Sequence, residues 1–456
     1  MSGVEAGTHP VVVVGAGAAG LTAALAARDA GAPVVVLERD AAPAGNTALT
    51  LGMLPGAGTR FQRAAGIEDD AELFLADILA KAKGRTDHDL ARAITAASGP
   101  AVEWLADRHG VAFELLDDIL YPGHSRHRYH VPPGRTGTAF MADLLAAVSR
   151  AGVQLITRAT VEAPETDAAG RVTGVVWRDE AGGRHHTACR ALVLASGGYG
   201  ADPEAVIRHI PEMAGAVHGG HHGSRGDALR WGERLGAALV DLGGYQGHCV
   251  ADGPDLPVTW AVIIRGGVQV AADGRRFSNE MRGYSEQAHA VAGQAGGVAW
   301  TIYDRRCEEP ALTFRDYHRV LASGVVAMGD TVEDLARACG LPAGALAETL
   351  AEVEAVTRGH APDRFSRVFD GTPPLQPPFR AVRVRAALFH TQGGLAIDGR
   401  ARVLDRAGRP LPGLYAAGGA ARGLSGPASW GYLGGNGLLT AVVPGRFAGT
   451  AAATTC

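Results

Sequence analysis

The sequence predicts an α/β protein built around a parallel sheet. Two short apolar stretches, VVVV at 11–14 and VVVL at 34–37, have the length and β-branched composition of buried strands. An alanine-rich stretch at 21–32 separates them and predicts a helix that ends near a glycine. Strands that alternate with helices in this way form parallel sheets. Because 456 residues are too many for one compact core, two or three domains are expected.

A glycine-rich turn, GAGAAG, joins the first strand to the helix and carries Gly15, Gly17 and Gly20. Glu38 ends the second strand about 20 residues later, which is the spacing of a dinucleotide-binding fingerprint. In this pattern Gly15 permits the tight turn, and Gly17 lets a pyrophosphate reach the helix N-terminus. Gly20 lets helix and strand pack closely, and Glu38 can accept hydrogen bonds from a ribose diol.

Composition and charge argue against several other classes of function. The formal net charge is −4 and basic residues do not cluster, so a nucleic-acid partner is not expected. The 5 cysteines are scattered without CxxC or CxxCH, so zinc, iron–sulfur and attached haem are unsupported and a cytoplasmic location is predicted. The N-terminus, MSGVEAGTHP, does not resemble a signal peptide, and no apolar run is long enough to span a membrane.

Two further glycine-rich segments have the character of backbone that lies close to a ligand. PAGNTALTLGM, residues 43–53, follows Glu38 where a nicotinamide-binding domain would usually continue with another strand and helix. Asn46 and Thr47 in this loop could hydrogen-bond near N5 of a flavin. Near the C-terminus, 413–449 contains a strand that runs into a glycine turn and a helix opened by GGNG. The N-terminus of that helix could stabilise negative charge on a reduced flavin, so the pattern favours FAD over NAD.

With these segments the chain resembles a known family along nearly its whole length. The order and spacing of its motifs are similar to those of fumarate reductase and succinate dehydrogenase flavoprotein subunits, a family that also holds 3-ketosteroid dehydrogenases and tricarballylate dehydrogenases. The motifs are GAGAAG…E (15–38), GNTALTLGM (45–53), LVLASGGYGADPE (192–204), HHGSRGDALRWGERLGAAL (221–239), GRRFSNE (274–280), FHTQGGLAID (389–398) and GLYAAG…GYLGGNG (413–437).

The resemblance implies a domain organisation. A Rossmann-like FAD-binding domain is expected to combine the two chain ends, residues 1–205 and 377–456. A capping domain of α+β type is expected between them, at 206–376. The proline-rich GTPPLQPPF at 371–379 stands at the second boundary and supports it as a linker.

The resemblance also implies how FAD is held. Some members attach FAD covalently through a histidine in the loop after the ribose acid, but Gly45, Asn46 and Thr47 stand there, so non-covalent FAD is expected. Gly419 replaces a glutamate that holds the ribityl chain in many members. The residues expected to bind FAD are Gly15, Ala16, Gly17, Ala19, Gly20, Glu38, Gly45, Asn46, Thr47, Gly52, Val161, Ser196, Gly197, Gly418, Gly434, Asn436, Gly437 and Leu438.

Two tyrosines set this chain apart from the dicarboxylate members of the family. Those members carry a proton-donating arginine after the NE glutamate and a carboxylate-binding arginine before LGGN. Here Tyr284 follows Glu280 and Tyr432 precedes LGGN. An arginine fork complements a carboxylate, whereas a tyrosine hydroxyl offers one hydrogen bond and no charge near neutrality. The exchange therefore predicts a ketone, ester or enone as substrate rather than a dicarboxylate.

The two tyrosines match the ketosteroid dehydrogenase branch, and the resemblance implies their roles. Tyr284 is expected to act as the base, while Tyr432 helps to polarise the carbonyl. Since free tyrosine has a pKa of about 10, Tyr284 needs a group that stabilises its phenolate. Arg265 and Arg282 are the candidates, and Arg282 is counted with the catalytic residues.

Several histidines are further candidates for the site. His390 in HTQGG stands where fumarate reductases use a histidine to bind the substrate carboxylate, and it is expected to assist at the carbonyl. His221 and Arg265 are expected to bind substrate. His124, His127 and His130 lie in a proline-containing loop whose spacing fits no strong metal pattern, so no metal is expected, and the loop could line the substrate entrance.

The sequence thus predicts an FAD-dependent oxidoreductase that acts on a CH–CH or C=C bond next to a carbonyl. A carboxylate-directed enzyme of fumarate or tricarballylate type, and a protein that binds FAD without turnover, are the alternatives. The expected partners are a small-molecule substrate and an external electron acceptor or donor, because no haem or iron–sulfur motif supplies an internal electron path.

Overall fold

The computed structural model describes residues 9–369 and 371–455. Most of the N-terminal segment discussed above, and Cys456, lie outside the described residues. Within those ranges, none of the helices combines the length and the apolar character that crossing a membrane requires.

The first sheet combines strands from both ends of the chain. Its strands, in spatial order, are β19 (Arg402–Leu404), β20 (Pro410–Ala416), β10 (Ala191–Leu194), β1 (Val11–Val14), β2 (Val34–Leu37) and β6 (Gln154–Ile156). All pairs except β19–β20 are parallel, and the two valine stretches are fully buried between neighbours. The predicted α/β fold is confirmed, because strands buried on both faces read as continuous apolar runs.

Two helices cover this sheet and bring the chain ends together. Helix α1 (Ala18–Asp29) follows the glycine turn and packs on the C-terminal helix α14 (Asn436–Ala453). A Cβ on Gly445 would lie 2.6 Å from the Ala19 carbonyl oxygen, and one on Gly449 would lie 2.0 Å from that of Ala23. The small residues therefore let the two helix backbones touch.

The remaining helices lie between these two along the chain. They are α2 (Arg60–Ala64), α3 (Ala71–Lys81), α4 (His88–His109), α5 (Gly137–Arg150), α6 (Pro203–His209), α7 (Asp227–Arg234), α8 (Ala261–Ile264), α9 (Tyr284–Ala292), α10 (Arg305–Ala311), α11 (Arg315–Ala322), α12 (Val332–Cys339) and α13 (Ala343–Thr357). Short 3₁₀ turns occur at Asn46–Leu49, Pro211–Met213, Glu280–Arg282, Ala295–Gly297, Gly418–Ala420 and Ser429–Gly431.

The second large sheet is organised around one long strand, β17 (Phe379–Thr391). Its other strands are β11 (Val217–His218), β13 (Tyr245–Ala251), β14 (Val268–Val270), β15 (Val298–Asp304) and β16 (Val326–Gly329). Smaller sheets are formed by β12 (Leu239–Val240) with β18 (Gly394–Leu395), by β3 (Leu54–Pro55), β5 (Tyr129–Val131) and β4 (Glu114–Leu116), and by β7 (Thr160–Thr166), β8 (Val172–Arg178) and β9 (Arg184–Ala188).

Strand β17 bears on the expected domain division. The division at 377 assigns 379–391 to the FAD-binding domain, but β17 pairs along its length with β13, β15 and β16 of the second sheet. This pairing favours a boundary after Thr391. We therefore keep the two-domain division of the chain as a proposal with that later boundary.

A buried ion cluster fixes the turn that precedes α9. The Glu280 carboxylate accepts hydrogen bonds from Arg276 at 2.8 and 2.9 Å and from Arg367 at 3.0 Å. Gln269 donates its backbone N–H to the same carboxylate at 3.0 Å, and Glu280 is fully buried. The NE glutamate of the sequence is thus a structural anchor that sets where Tyr284 begins its helix.

Candidate active site

A deep cleft runs from the N-terminal glycine turn to the second sheet. It encloses about 1920 Å³ of empty space, counted out to its open mouth. Gly17 borders it at one end, and Tyr284, His390 and Tyr432 border the other.

The glycine turn has the geometry that a pyrophosphate site needs. Gly15 has φ +100°, and a Cβ there would lie 2.5 Å from the Ala195 carbonyl oxygen. A Cβ on Gly20 would lie 1.9 Å from the Gly15 carbonyl oxygen, which is the predicted close packing of helix and strand. At Gly17 the nearest atom to a Cβ would be 3.6 Å away, so the N-terminus of α1 opens into the cleft. An anion placed there would meet free N–H groups and the positive end of the helix dipole.

Glu38 borders the cleft next to this turn. Its carboxylate accepts the Ala16 N–H at 2.7 Å and the Asp40 N–H at 2.9 Å. A carboxylate has about four acceptor positions, so capacity remains for the hydroxyls of a ribose.

Most residues expected to bind FAD border the cleft, and a few do not. Gly52, with φ +72°, faces Pro132, and Gly434 faces the Tyr129 hydroxyl, while Asn436 is fully buried at the start of α14. These three residues and Gly20 do not border the cleft. The residues that border the cleft are Gly15, Ala16, Gly17, Ala19, Glu38, Gly45, Asn46, Thr47, Val161, Ser196, Gly197, Gly418, Gly437 and Leu438.

The residues present fit FAD. The N-termini of α1 and α14 both meet the cleft, at Gly17 and Gly437, and can face a pyrophosphate and the flavin ring. The Ser196 hydroxyl is buried at the cleft wall and has no hydrogen-bond partner in the described part of the chain, which is unfavourable unless a bound molecule satisfies it. Gly419 borders the cleft as well, and a Cβ there would lie 2.7 Å from the Gly198 nitrogen, so this backbone does not accommodate a glutamate at the position.

Acid precipitation of the holoprotein should release the flavin into the supernatant. The loop of Gly45, Asn46 and Thr47 offers no histidine to an isoalloxazine ring, so FAD should be bound without a covalent bond. Flavin absorbance of pellet and supernatant measures this result. Flavin that stays with the washed pellet would contradict it.

Tyr284 and Tyr432 meet at the far end of the cleft, and their ring centroids are 5.9 Å apart. Burial, followed by the neighbouring tyrosines Tyr432, Tyr129 and Tyr121, raises the pKa of Tyr284 well above its usual value. Burial also raises the pKa of Tyr432, to about 12, although the Gly437 N–H and the Tyr284 hydroxyl both stabilise its phenolate. Both tyrosines are therefore protonated at neutral pH.

Two histidines stand next to this pair. Burial lowers the pKa of His390 to about 4 and that of His248 to about 4, so both imidazoles are neutral in ordinary conditions. The His248 ring lies 5.0 Å from the Tyr284 ring, and its Nδ1 is 2.9 Å from the Cys249 carbonyl oxygen. That contact requires the proton on Nδ1, which leaves Nε2 as an acceptor. The His390 ring lies 5.5 Å from the Tyr432 ring.

His248, Trp260 and Tyr121 border the cleft and were missed by sequence reasoning. The available signal for His248 was the alternation along β13, where Gln246 and His248 both face the cleft. Trp260 gave no signal, because an aromatic residue in an apolar run is most simply a core residue. Its Nε1–H is buried without a partner among the described residues.

Three of the predicted site residues are placed away from the tyrosines. Arg282 and Arg265 are exposed and border no part of the cleft, and the Arg265 guanidinium donates to the Asp118 carbonyl oxygen at 3.1 Å. Neither stands where it could stabilise the Tyr284 phenolate, which corrects the sequence argument. His221 borders the cleft, but its Nε2 lies 2.9 Å from Asp40 and its Nδ1 accepts the Gly223 N–H at 3.1 Å. Both nitrogens are thus engaged at the end of the cleft where Glu38 stands.

The loop histidines have separate partners. His124 Nε2 lies 3.0 Å from the Gly434 carbonyl oxygen, and His130 Nε2 lies 2.8 Å from the Thr59 hydroxyl. Over the described residues, no three histidine, cysteine, aspartate or glutamate side chains converge as a metal site would require. The His124 contact brings this loop against the GGNG turn below the tyrosines.

The fold and cleft define the class of protein: a flavoprotein with a dinucleotide-binding sheet and a second sheet over the flavin end. A sequence profile described as an FAD binding domain matches residues 10–438, and the chain belongs to that family. A probable fumarate reductase from Shewanella frigidimarina is 31% identical over 451 residues, which cover 98% of this chain and 75% of that protein. A urocanate reductase from Eggerthella lenta is 28% identical over 422 residues, which cover 90% of this chain and 69% of that protein.

Solved structures give the same result. A flavocytochrome c3 fumarate reductase in an open conformation superposes with a TM-score of 0.81 at 30% identity, covering 99% of this chain and 79% of that one. A 3-ketosteroid-Δ4-(5α)-dehydrogenase from Rhodococcus jostii, in complex with 4-androstene-3,17-dione, superposes with a TM-score of 0.79 at 27% identity. The match covers 99% of this chain and 98% of that one. The protein is an FAD-dependent oxidoreductase of a family that acts on carbon–carbon bonds.

Proposed function

We propose that this protein interconverts a CH–CH and a C=C bond next to a neutral carbonyl group. One observation carries the proposal: among the described residues that border the cleft, Arg39 alone has a permanent positive charge. Its guanidinium donates to the Gly223 carbonyl oxygen at 3.3 Å, at the Glu38 end of the cleft. The tyrosine end offers hydroxyls and neutral imidazoles, which suit a ketone, ester or enone better than a dicarboxylate.

The carbonyl oxygen is bound by Tyr432 and the N-terminus of α14. The Tyr432 hydroxyl lies beside Gly437 in the first turn of α14, where a Cβ on Gly437 would be 3.6 Å from it, and the protonated hydroxyl can give its proton to a substrate oxygen. Donors placed in advance where negative charge develops stabilise an enolate-like transition state most strongly in a site that excludes water. His390 stands beside Tyr432 and assists in holding this oxygen.

Tyr284 transfers the proton at the α carbon. Its ring centroid lies 5.9 Å from that of Tyr432, so a substrate held by Tyr432 would bring its α carbon near Tyr284. A positioned acid–base group of this kind contributes about 10²–10⁴-fold to rate. FAD, when bound, supplies N5 as the hydride acceptor or donor.

The rest of the substrate meets an apolar wall. Side chains from β17, from the loop after Thr47 and from the segments that precede α8 and α11 form it, and none of them could pair with a second carboxylate. They are Leu51, Met53, Pro257, Trp260, Phe314 and Phe389. An apolar body of several carbon atoms therefore suits this end better than a four-carbon acid.

Anaerobic mixing tests the proposed substrate class. Reduced enzyme should be reoxidised by 3-ketosteroid enones or cyclic enones at least tenfold faster than by fumarate at equal concentration, because no arginine fork compensates two carboxylates. Flavin absorbance in a stopped-flow instrument measures both rates. If fumarate reoxidises the enzyme as fast as the enones do, the proposal that Tyr284 and Tyr432 select a neutral carbonyl substrate is wrong.

The relatives support a second candidate, a carboxylate-directed reductase. Several relatives are named fumarate reductases, and His390 stands in the HTQGG motif. His221 is a poor carboxylate ligand here because Asp40 and the Gly223 N–H already hold its ring. The mixing experiment separates the two candidates directly.

We also propose a cytoplasmic location and an external electron carrier. The support is that Cys189, Cys249 and Cys307 are buried free thiols, as a reducing compartment allows. Reoxidation assays with a quinone, a ferredoxin and O₂ would identify the kind of carrier.

A further inference from the structure

Gln392, the glutamine of the HTQGG motif, follows β17 and lies beside His390. It is buried and borders the cleft. Its backbone N–H donates to the Gly244 carbonyl oxygen at 2.7 Å, and its own carbonyl oxygen accepts the Gly423 N–H at 2.7 Å. These two backbone hydrogen bonds fix the point from which the Gln392 side chain reaches into the wall of the cleft.

The side-chain amide of Gln392 has a polar partner at each of its two atoms. Nε2 lies 3.3 Å from His390 Nδ1, and Oε1 lies 3.1 Å from the Ser425 hydroxyl oxygen. A Cβ on Gly423 would lie 2.5 Å from Oε1, so the absence of a side chain at residue 423 makes room for the amide. The amide is therefore held between a histidine and a serine.

Ser425 determines which way the amide faces. Ser425 is fully buried, and within the described ranges Gln392 is the only hydrogen-bond partner of its hydroxyl. With Oε1 toward Ser425, the hydroxyl donates its hydrogen to the amide oxygen. If the amide were turned over, its NH₂ group would face the hydroxyl, and the hydroxyl hydrogen would be buried without an acceptor, which is unfavourable. Nε2 of Gln392 therefore faces His390.

This orientation determines which nitrogen of His390 carries the proton. Burial lowers the pKa of His390 to about 4, so the neutral ring has a single N–H in ordinary conditions. Because Gln392 Nε2–H donates to Nδ1, Nδ1 is the acceptor and the hydrogen is on Nε2. The Thr391 carbonyl oxygen lies 3.4 Å from Nδ1, but it could accept a hydrogen from that nitrogen only in the opposite tautomer.

His390 Nε2 and the Tyr432 hydroxyl lie around the same turn of backbone. A Cβ on Gly437 would be 2.7 Å from His390 Nε2 and 3.6 Å from the Tyr432 hydroxyl oxygen. In the described part of the chain, the hydrogen-bond contacts of the His390 ring are both made by Nδ1. The Nε2–H is therefore left for a molecule bound in the cleft, which His390 and Tyr432 both border.

We propose that Gln392 is a positioning residue that keeps the proton of His390 on Nε2, so that His390 and Tyr432 present two donors to one oxygen atom of the substrate. Two donors placed in advance stabilise an oxygen on which negative charge develops. The opposite tautomer would turn the Nε2 lone pair toward that oxygen and repel it. The inference rests on the proposed function for the identity of the oxygen, and on the contacts of Gln392 and Ser425 for the tautomer.

Nitrogen NMR of the oxidised holoprotein with isotope-labelled histidine tests the tautomer directly. A ring nitrogen that bears a hydrogen and one that does not have well-separated shifts, and the signals lost in His390→Asn identify the ring. At about pH 8, above the ordinary histidine pKa of about 6.5, Nε2 of His390 should carry the hydrogen. A hydrogen on Nδ1 of the unmodified protein would overturn the proposal without any variant of Gln392.

Two substitutions of Gln392 test its role. Gln392→Met removes the donor at similar volume and leaves Nδ1 with the Thr391 carbonyl oxygen, while Gln392→Glu puts an acceptor in place of the donor. Both should move the hydrogen to Nδ1. Both should also weaken binding of a 3-ketosteroid enone to the oxidised enzyme about 3–10-fold, the effect of one hydrogen bond. Flavin absorbance during titration with the enone measures this binding without turnover.

Gln294→Glu is the matched control. Gln294 donates to the Ala290 carbonyl oxygen at 3.0 Å outside the cleft, so the same exchange there should change neither the tautomer nor enone binding. Ser425→Ala is a milder variant that frees the amide to turn over and should give a mixture of tautomers, which keeps the test open if the Gln392 variants lose FAD.

The possible results separate this inference from the proposed function. An Nε2–H that persists in Gln392→Met, or enone binding that stays unchanged while the hydrogen moves, would overturn the role of Gln392. If enones neither bind nor react, the proposed function fails, but the tautomer measurement still reports on Gln392. If enones react while the unmodified protein has its hydrogen on Nδ1, only the present inference fails.

Discussion

Tyr284→Phe should slow flavin reduction by a saturated ketone substrate about 10²–10⁴-fold, the range for loss of a positioned acid–base group. Phenylalanine keeps the ring that packs against His248 and Tyr432 but removes the oxygen that takes the α proton. The bound FAD and the unfolding midpoint should remain close to those of the unmodified enzyme. Anaerobic stopped-flow absorbance measures the rate, and flavin content of the purified protein measures binding.

A matched tyrosine outside the cleft gives the control. Tyr415 hydrogen-bonds Thr455 at 2.6 Å on the first sheet, so Tyr415→Phe removes a hydroxyl of the same kind without touching the site. It should leave the rate within about twofold, because surface and remote changes rarely alter transition-state contacts. A Tyr284→Phe enzyme as fast as the Tyr415→Phe enzyme would refute the role of Tyr284.

Glu280→Gln should reduce the free energy of unfolding by about 3–5 kcal/mol, the usual cost of leaving a buried ion pair with one partner. Gln keeps the shape of the side chain, but Arg367 loses the carboxylate that it contacts at 3.0 Å, and both residues are fully buried. Because Glu280 opens the turn before α9, the variant should also weaken the placement of Tyr284. Urea unfolding with FAD in excess, followed by circular dichroism, measures the change.

Glu348→Gln is the matched control for this second result. Glu348 pairs with Arg275, next to Arg276 in sequence, but the two side chains are 64% and 44% exposed. An exposed pair contributes about 0–1 kcal/mol, so this variant should be nearly as stable as the unmodified protein. If Glu280→Gln and Glu348→Gln reduce the free energy of unfolding equally, burial does not increase the contribution of the Glu280 cluster to stability.

The same cluster sets a pH dependence of stability. Burial favours the neutral carboxyl, but Arg367, Arg276 and the Gln269 N–H together hold the pKa of Glu280 below its usual value. Unfolded glutamate titrates near a pKa of about 4.3, so the stabilising contribution is complete above that pH. It is lost as pH falls further through the folded pKa, and Glu280→Gln should be less sensitive to acid in that range.

Local signals explain why FAD could be predicted as the cofactor. Gly15 has φ +100°, a Cβ on Gly20 would lie 1.9 Å from the Gly15 carbonyl oxygen, and Glu38 directly follows a buried strand. These requirements concern residues that are close together in the chain, so they can be recognised in a short stretch of sequence. The FAD-binding family, the α/β fold and the departure at Tyr284 and Tyr432 all came from segments of this kind.

Long-range packing explains what the sequence argument missed. Arg265 and Arg282 are near Tyr284 in sequence or motif, but both side chains are exposed and neither borders the cleft. His248 and Tyr129 come from strands of two different sheets, and nothing close to them in sequence marks their destination. The proline-rich segment before β17 led to the prediction that this strand belongs to the FAD-binding domain. Its pairing with β13 and β15 favours the domain of the second sheet instead.

By itself the sequence determined that this protein binds FAD, belongs to a family acting on carbon–carbon bonds, and lacks the two arginines of the dicarboxylate members. Those features are properties of single segments, because a glycine turn or a residue identity does not depend on distant neighbours. The tertiary structure alone decided which groups surround Tyr284: a neutral His248 and the buried tyrosines Tyr432 and Tyr129. Their identity depends on how two sheets and a loop meet, and side-chain protonation there follows burial, which no local pattern records.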